Sequence, residues 1–346
     1  MKIYVRCLLC TILVLVCIFA AACSVGMAEQ KTFKNYNEVI KYVKDEQPKD
    51  LKLEDVKFTI PQLIEIKNNM PEGAHLSFNT KIGQAEISDQ DTEIDLNKAT
   101  GKLTAADLEG LIKLVPGVKK INVLKHRELG KEKMIPLVDK YPEIEFIWLI
   151  KLGERYTLSS AATVFSTMNS AYESKGLTSE QLAPIRYAKH LKALDIGHNR
   201  VDDLSVLKEL PELRLLILAD NQIKDLSPIT ACPNLQYLEI FSCGIEDISP
   251  LENCKELIDL NISNNKISDL KPLDKCDKLE RLWASQNPIS PEEMQRFTEK
   301  HPGCEAMFTN QHPTSDGWRY HWRYKQYTDM FRKHEWREFV PPVKET

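Results

Sequence analysis

The residues able to do chemistry fall into a few sets, and most of them exclude catalysis. Two carboxylates, Asp195 and Glu239, stand at equivalent places of segments two repeats apart, and a carboxylate pair is what glycoside hydrolysis requires. The other Asp and Glu residues recur with the same spacing, however, so their positions report turns rather than an acid/base couple. Beyond Cys23 there are five cysteines, Cys232, Cys243, Cys254, Cys276 and Cys304. None forms a C-x-x-C pair, and an odd number cannot all join in internal disulfides. The eight histidines are scattered, and His198 reads as a surface residue rather than a base or a ligand. No G-x-S-x-G, H-E-x-x-H, P-loop or dinucleotide-binding glycine motif occurs. The expectation is a protein that is not an enzyme, with no cofactor and no metal. What remains is recognition chemistry: Leu215, Ile217, Tyr237, Glu239, Phe241, Asp259, Arg281 and Trp283, rich in the aromatic and arginine side chains that dominate binding hot spots.

These residues sit on a repeat. From Leu191 the chain restarts every 22 residues, at Leu213, Leu235, Leu257 and Leu279. Each copy reads L-x-x-L-x-apolar-x-x-Asn/Cys, as in Leu191, Leu194, Ile196 and Asn199. The Leu-x-apolar alternation predicts a short strand with one buried face. The ladder residues Asn199, Asn221, Cys243, Asn265 and Asn287 end each strand with a side chain able to satisfy turn backbone groups. Ser227-Pro228 and Ser249-Pro250 read as N-cap and first residue of a short return helix. Cys232, Cys254 and Cys276 share one phase of the repeat and are expected to be buried packing thiols. Residues between the core leucines then form columns on the exposed sheet face, one running Ala193, Leu215, Tyr237, Asp259, Arg281 and the next Asp195, Ile217, Glu239, Asn261, Trp283. Apolar members there mark an interaction stripe. The alternatives are a stripe covered by the tail or the flank, or tolerated surface.

Residues 37–190 read as a divergent N-terminal flank of longer repeats, 191–300 as the regular array and 301–346 as a C-terminal segment. Residues 103–109 resemble 177–183 as a helix start, and 71–83 are echoed by 142–153, so the flank looks like two copies of one longer unit. The C-terminal segment carries Trp318, Tyr320, Trp322, Tyr324, Tyr327, Phe331 and Trp336. Since repeat arrays need shielded ends, it is expected to cap the last coil. The alternative is a cationic aromatic patch for a glycan, peptide or nucleic acid.

At the other end, Lys2 and Arg6 followed by an apolar run over 7–22 form an export signal over 1–22, with 23–36 as a tether. Ala20-Ala21-Ala22-Cys23 resembles the lipobox of bacterial lipoproteins, with Cys23 as the lipidated residue, although Ala20 stands where Leu is usual. Cleavage after Ala28, which would secrete the protein, and a retained membrane anchor are the alternatives. The net charge of −4 without a basic block argues against nucleic acid as partner.

The five coils, with motifs such as those over 190–199 and 215–223, resemble the exported leucine-rich-repeat proteins of Gram-positive bacteria, including the internalin-like type. The resemblance implies an α/β solenoid: a curved parallel β-sheet on the concave face, short helices or helical turns on the convex face, irregular longer N-terminal repeats and a C-terminal cap. It also implies a cell-surface, lipid-anchored binding module for a protein or peptide ligand. A structural envelope component, or a glycan-binding adhesin using the aromatic tail, is the alternative.

Overall fold

The computed structural model describes residues 31–54, 57–168, 176–315 and 317–340. The export segment, with Cys23 and Ala28, lies outside the described residues. The chain forms two compact units, residues 1–101 with 106–119 and residues 102–105 with 120–346, so the division falls inside the 37–190 flank. No helix among the described residues is long and apolar enough to cross a membrane.

In the first unit α1 (Tyr36–Glu46), β1 (Asp50–Leu53), α2 (Ile60–Asn69), β2 (His75–Ile82), β3 (Ala85–Ser88), β4 (Glu93–Asp95) and most of α3 (Ala105–Leu114) follow one another. Helix α2 starts at Thr59, which exchanges side-chain hydrogen bonds with Gln62 and so satisfies amides that the first turn leaves free. β1 pairs parallel with β2, which folds back into antiparallel β3. The hairpin turns at Gly83, whose φ of +65° is left-handed and favours a residue without Cβ.

The second unit begins with β5 (Lys120–Asn122), α4 (Lys131–Lys140), β6 (Glu145–Ile147), β7 (Leu149–Leu152), β8 (Tyr156–Ser159), β9 (Val164–Ser166) and α5 (Ser179–Leu182). β5 pairs parallel with β6, and β7 folds back into β8 at Gly153, φ +53°. Each unit therefore runs strand, helix, parallel strand, glycine-hinged hairpin, short strand, helix. That shared order is the physical content of the sequence echo between 71–83 and 142–153.

The regular coils follow: β10 (Ala193–Asp195), β11 (Leu215–Ile217), β12 (Tyr237–Glu239), β13 (Asp259–Asn261), β14 (Arg281–Trp283), then α6 (Pro291–Lys300), β15 (Glu305–Met307) and α7 (Trp322–Lys333). Strands β9 to β15 form one seven-stranded parallel sheet in chain order. Its register places Ala193, Leu215, Tyr237, Asp259 and Arg281 side by side. The core is the alternate set, Leu194, Leu216, Leu238, Leu260 and Leu282, none of it exposed. A single coil cannot bury that face; stacking can.

The convex returns are five-residue 3-10 turns, such as Ser227–Ala231 and Ser249–Asn253. Ser227 and Ser249 are not N-caps, as the sequence implied, but the first residues of these turns. The capping falls to the aspartate two positions earlier: Asp225 accepts the Ser227 amide at 2.8 Å and Asp247 the Ser249 amide at 2.7 Å. An aspartate reaching an amide two residues on stabilises a tight turn without requiring a full helical turn.

The ladder works by shared hydrogen bonds between coils. Asn265 donates to Ile240 and Ile262 carbonyls, each at 2.9 Å, and its Oδ1 accepts from the Cys243 and Ile245 amides at 3.0 Å. Asn221 and Asn287 repeat the arrangement, and Asn199 accepts from Leu177. Cys243 donates its thiol to the Leu218 carbonyl at 3.4 Å. Just before each ladder residue, His198, Asp220, Ser242, Asn264 and Gln286 hold φ between +53° and +57°. Cys232, Cys254 and Cys276 are buried free thiols, and burial pushes each up to about 12. They are packing groups, not nucleophiles.

Candidate functional site

The concave columns are assembled in the order the repeat dictates, but they do not face solvent. Leu215, Tyr237, Asp259 and Trp283 have no exposure, and Arg281, Glu239 and Phe241 are also buried. What covers them is the chain's own C-terminal segment. Trp318, Tyr327, Met330 and Phe331 form one apolar cluster with Val164, Ala193, Leu215, Tyr237 and Trp283, so the segment spans strands β9 to β14. Expected as the cap of the last coil, it instead lies along the concave sheet like a strap. The last regular coil is followed by α6, which buries Phe297, and by β15.

Polar contacts fix the strap in one register. Arg323 grips Asp259 with two parallel bonds, Nε at 2.7 Å and Nη2 at 2.8 Å, and reaches Glu280 with Nη1 at 2.7 Å. Burial opposes its charge, but the two carboxylates outweigh burial and hold the guanidinium pKa above its ordinary value. The Tyr327 hydroxyl donates to the same Asp259 at 3.0 Å. Arg281 lies against both Trp283 and Trp318, its guanidinium 4.9 and 4.5 Å from their ring centroids, and donates to the Trp318 carbonyl. Such stacking satisfies a buried cation that has few acceptors. Trp283 donates its indole N–H to the Ser315 carbonyl, and Asn261 donates to Pro313. Glu239 receives the Trp318 indole N–H at 2.9 Å and the Tyr237 hydroxyl. Burial raises the Glu239 carboxyl pKa, and it pushes His321 down to about 4, with Arg281 and Arg323 adding to the effect.

The open anchors expected from the sequence thus need correction. All eight residues come together, but Leu215, Tyr237, Glu239, Asp259, Arg281 and Trp283 meet the strap. Ile217 and Phe241, together with Glu239, whose Oε1 the strap also holds, reach the part of the concave face it leaves open. That part is a notch of about 260 Å³ at the N-terminal side of the regular coils. Met168, 40% exposed, Asp195, His198, Arg319 and Tyr324 also line it. Asp195 and Glu239 stand on β10 and β12 with Ile217 of β11 between them, two strand spacings or about 9–10 Å apart along the sheet. Asp195 accepts from the Ser166 hydroxyl and the Gly197 amide, and burial raises its pKa. Both hydrogen bonds to Glu239 end on Oε1, so Oε2 has no hydrogen-bond partner among the described residues. The alternative of a tail covering the stripe is the one the structure shows, but the individual contacts of Trp318, Arg323 and Tyr327 were missed. The signal for them was the unbalanced acid, Glu239, Asp259 and Glu280, opposite a tail carrying Arg319 and Arg323. Among the described residues no cluster of three His, Cys, Asp or Glu side chains could hold a metal ion.

Strand–ladder–turn coils stacked in parallel define a leucine-rich-repeat solenoid. Family models agree: residues 211–253 and 255–293 match "Leucine Rich repeats (2 copies)" and residues 187–208 match "Leucine Rich repeat". Among solved structures the chain is similar to internalin C2 of Listeria monocytogenes, with 20% identity and a TM-score of 0.32 over 62% of this chain and 80% of that one. It is similar to the internalin inlF of the same organism, with 16% identity and a TM-score of 0.34 over 81% of this chain and 86% of that one. The functional domain of InlJ, also from Listeria monocytogenes and described as including a cysteine ladder, shows 19% identity and a TM-score of 0.33 over 65% and 41%. A comparison with curated protein sequences returns no match.

Proposed function

We propose that the protein is a non-catalytic binding module, exported and held at the cell surface through Cys23, that takes a protein or peptide ligand on the concave face of its repeats. The observation that carries this reading is the open notch. It combines an exposed Met168, the apolar Ile217 and Phe241, and two buried carboxylates on a rigid sheet, as binding hot spots do. The eight concave residues divide the work: Leu215, Tyr237, Asp259, Arg281 and Trp283 seat the strap, Ile217 and Phe241 meet the ligand, and Glu239 does both, holding Trp318 with Oε1. Met168→Asp places a charge in the notch on an exposed side chain, so it should abolish capture of a partner from the native cell envelope with melting unchanged. Capture that survives this change overturns the reading. Fatty-acid labelling of the native protein, abolished by Cys23→Ala, checks the anchor; undiminished labelling removes it.

A further inference from the structure

We propose that the notch takes one basic side chain, lysine or arginine, of the ligand. This assignment rests on the binding reading above and gives it a chemistry. The floor holds two carboxylates, Asp195 and Glu239, each almost wholly buried, and Glu239 keeps Oε2 free of hydrogen bonds. The hydroxyl of Tyr324, which also lines the notch, has no hydrogen-bond partner among the described residues. Arg319 is the one arginine or lysine in the lining, and it is exposed. The formal balance is therefore two acids against one solvated base, beside a His198 that is already paired with Asp220 at 3.0 Å.

An apolar ligand would seal these carboxylates from water without a counter-charge, and an acidic one would add repulsion; both are costly in a buried site. An ammonium or guanidinium donates to several acceptors at once and forms charge-assisted bonds, the strong class. Ile217, Phe241 and Met168 provide apolar wall for the methylene stem that such side chains bury behind the charge. Phe241 and Tyr324 offer ring faces that attract a cation. The volume of about 260 Å³ lies just below the roughly 300–1,000 Å³ of small-molecule pockets, which suits one side chain better than a whole cofactor. Burial raises the pKa of both carboxyls, and a bound cation opposes that shift by favouring their charged forms.

The test uses the full mature chain and capped alanine-based pentapeptides with a central lysine, arginine, norleucine or glutamate, titrated by calorimetry. The lysine or arginine peptide should bind at least about tenfold more tightly than the norleucine one. Arg319→Ala, which alters only an exposed side chain, should tighten the basic peptide, and Glu239→Gln should erase the preference for it. Equal or tighter binding of the norleucine or glutamate peptide overturns the assignment, as does binding of the basic peptide that ignores both variants. Binding of no peptide overturns it too. Envelope capture that Met168→Asp abolishes would still support the concave reading, so the two failures are distinguishable.

Discussion

Asp259 accepts two bonds from Arg323 and one from Tyr327 while having no solvent exposure of its own. Removing one partner of such a pair leaves the other charge buried, at about 3–5 kcal/mol, whereas replacing both by apolar groups is far milder. Asp259→Ala should therefore destabilise the strap by about that amount in urea titrations followed by tryptophan fluorescence, and Asp259→Leu with Arg323→Met should recover most of the loss. Equal damage from the single and double variants would contradict this account. Two other groups set a pH dependence of opposite sign. His321 is depressed from 6.5 to about 4, so its neutral form favours the folded state; that contribution is present above pH 6.5 and is lost as pH falls towards 4. Burial raises Glu239, so its contribution is present at and below its ordinary 4.5 and is lost as pH climbs through the raised value. Urea midpoints measured across pH should fall on both sides, with His321→Gln flattening the acid side and Glu239→Gln the other.

At the scale of elements, the five coils were legible because their signals are local. The 22-residue spacing, the Leu-x-apolar strands and the asparagines each need only their own coil to be read. Asn265→Ala removes an acceptor for two amides and a donor to three carbonyls inside the stack. A buried group left unsatisfied costs about 1–3 kcal/mol, so this change should lower stability by at least that much in chemical denaturation. An exposed change such as Lys266→Ala should cost a few tenths. The return turns were half legible. Ser-Pro marks a start in either a helix or a 3-10 turn, and the choice was made by how few residues remain before Ile229 and Leu251 must re-enter the core. The flank hairpins were legible only as an echo, since each depends on one left-handed glycine, Gly83 or Gly153.

At the scale of the molecule, the strap was legible only as the alternative of a stripe covered by the tail, for a definite reason. Arg323 meets Asp259 across 64 residues, and Trp318 meets Glu239 across 79, with no periodicity to announce either contact. The sequence displayed an apolar stripe and an aromatic tail, and offered their pairing as an alternative without naming which residues meet. Deleting residues 311–346 should leave the strand signal in far-ultraviolet circular dichroism while exposing Leu215, Tyr237 and Trp283 together. A rise in binding of a hydrophobic dye would report that exposure, and an unchanged dye signal would refute the packing described. The strap also changes how the array comes apart. A solenoid whose coils touch only their neighbours can fray one coil at a time from either end. Here a single segment is fastened to Val164 at one side of the sheet, to Asp259 in the middle and to Trp283 near the other. It couples coils that share no border, so the array loses its one-dimensional character and melts as a block. The coils under the strap cannot part until residues 317–340 are peeled away, which makes this segment the lock on their unfolding.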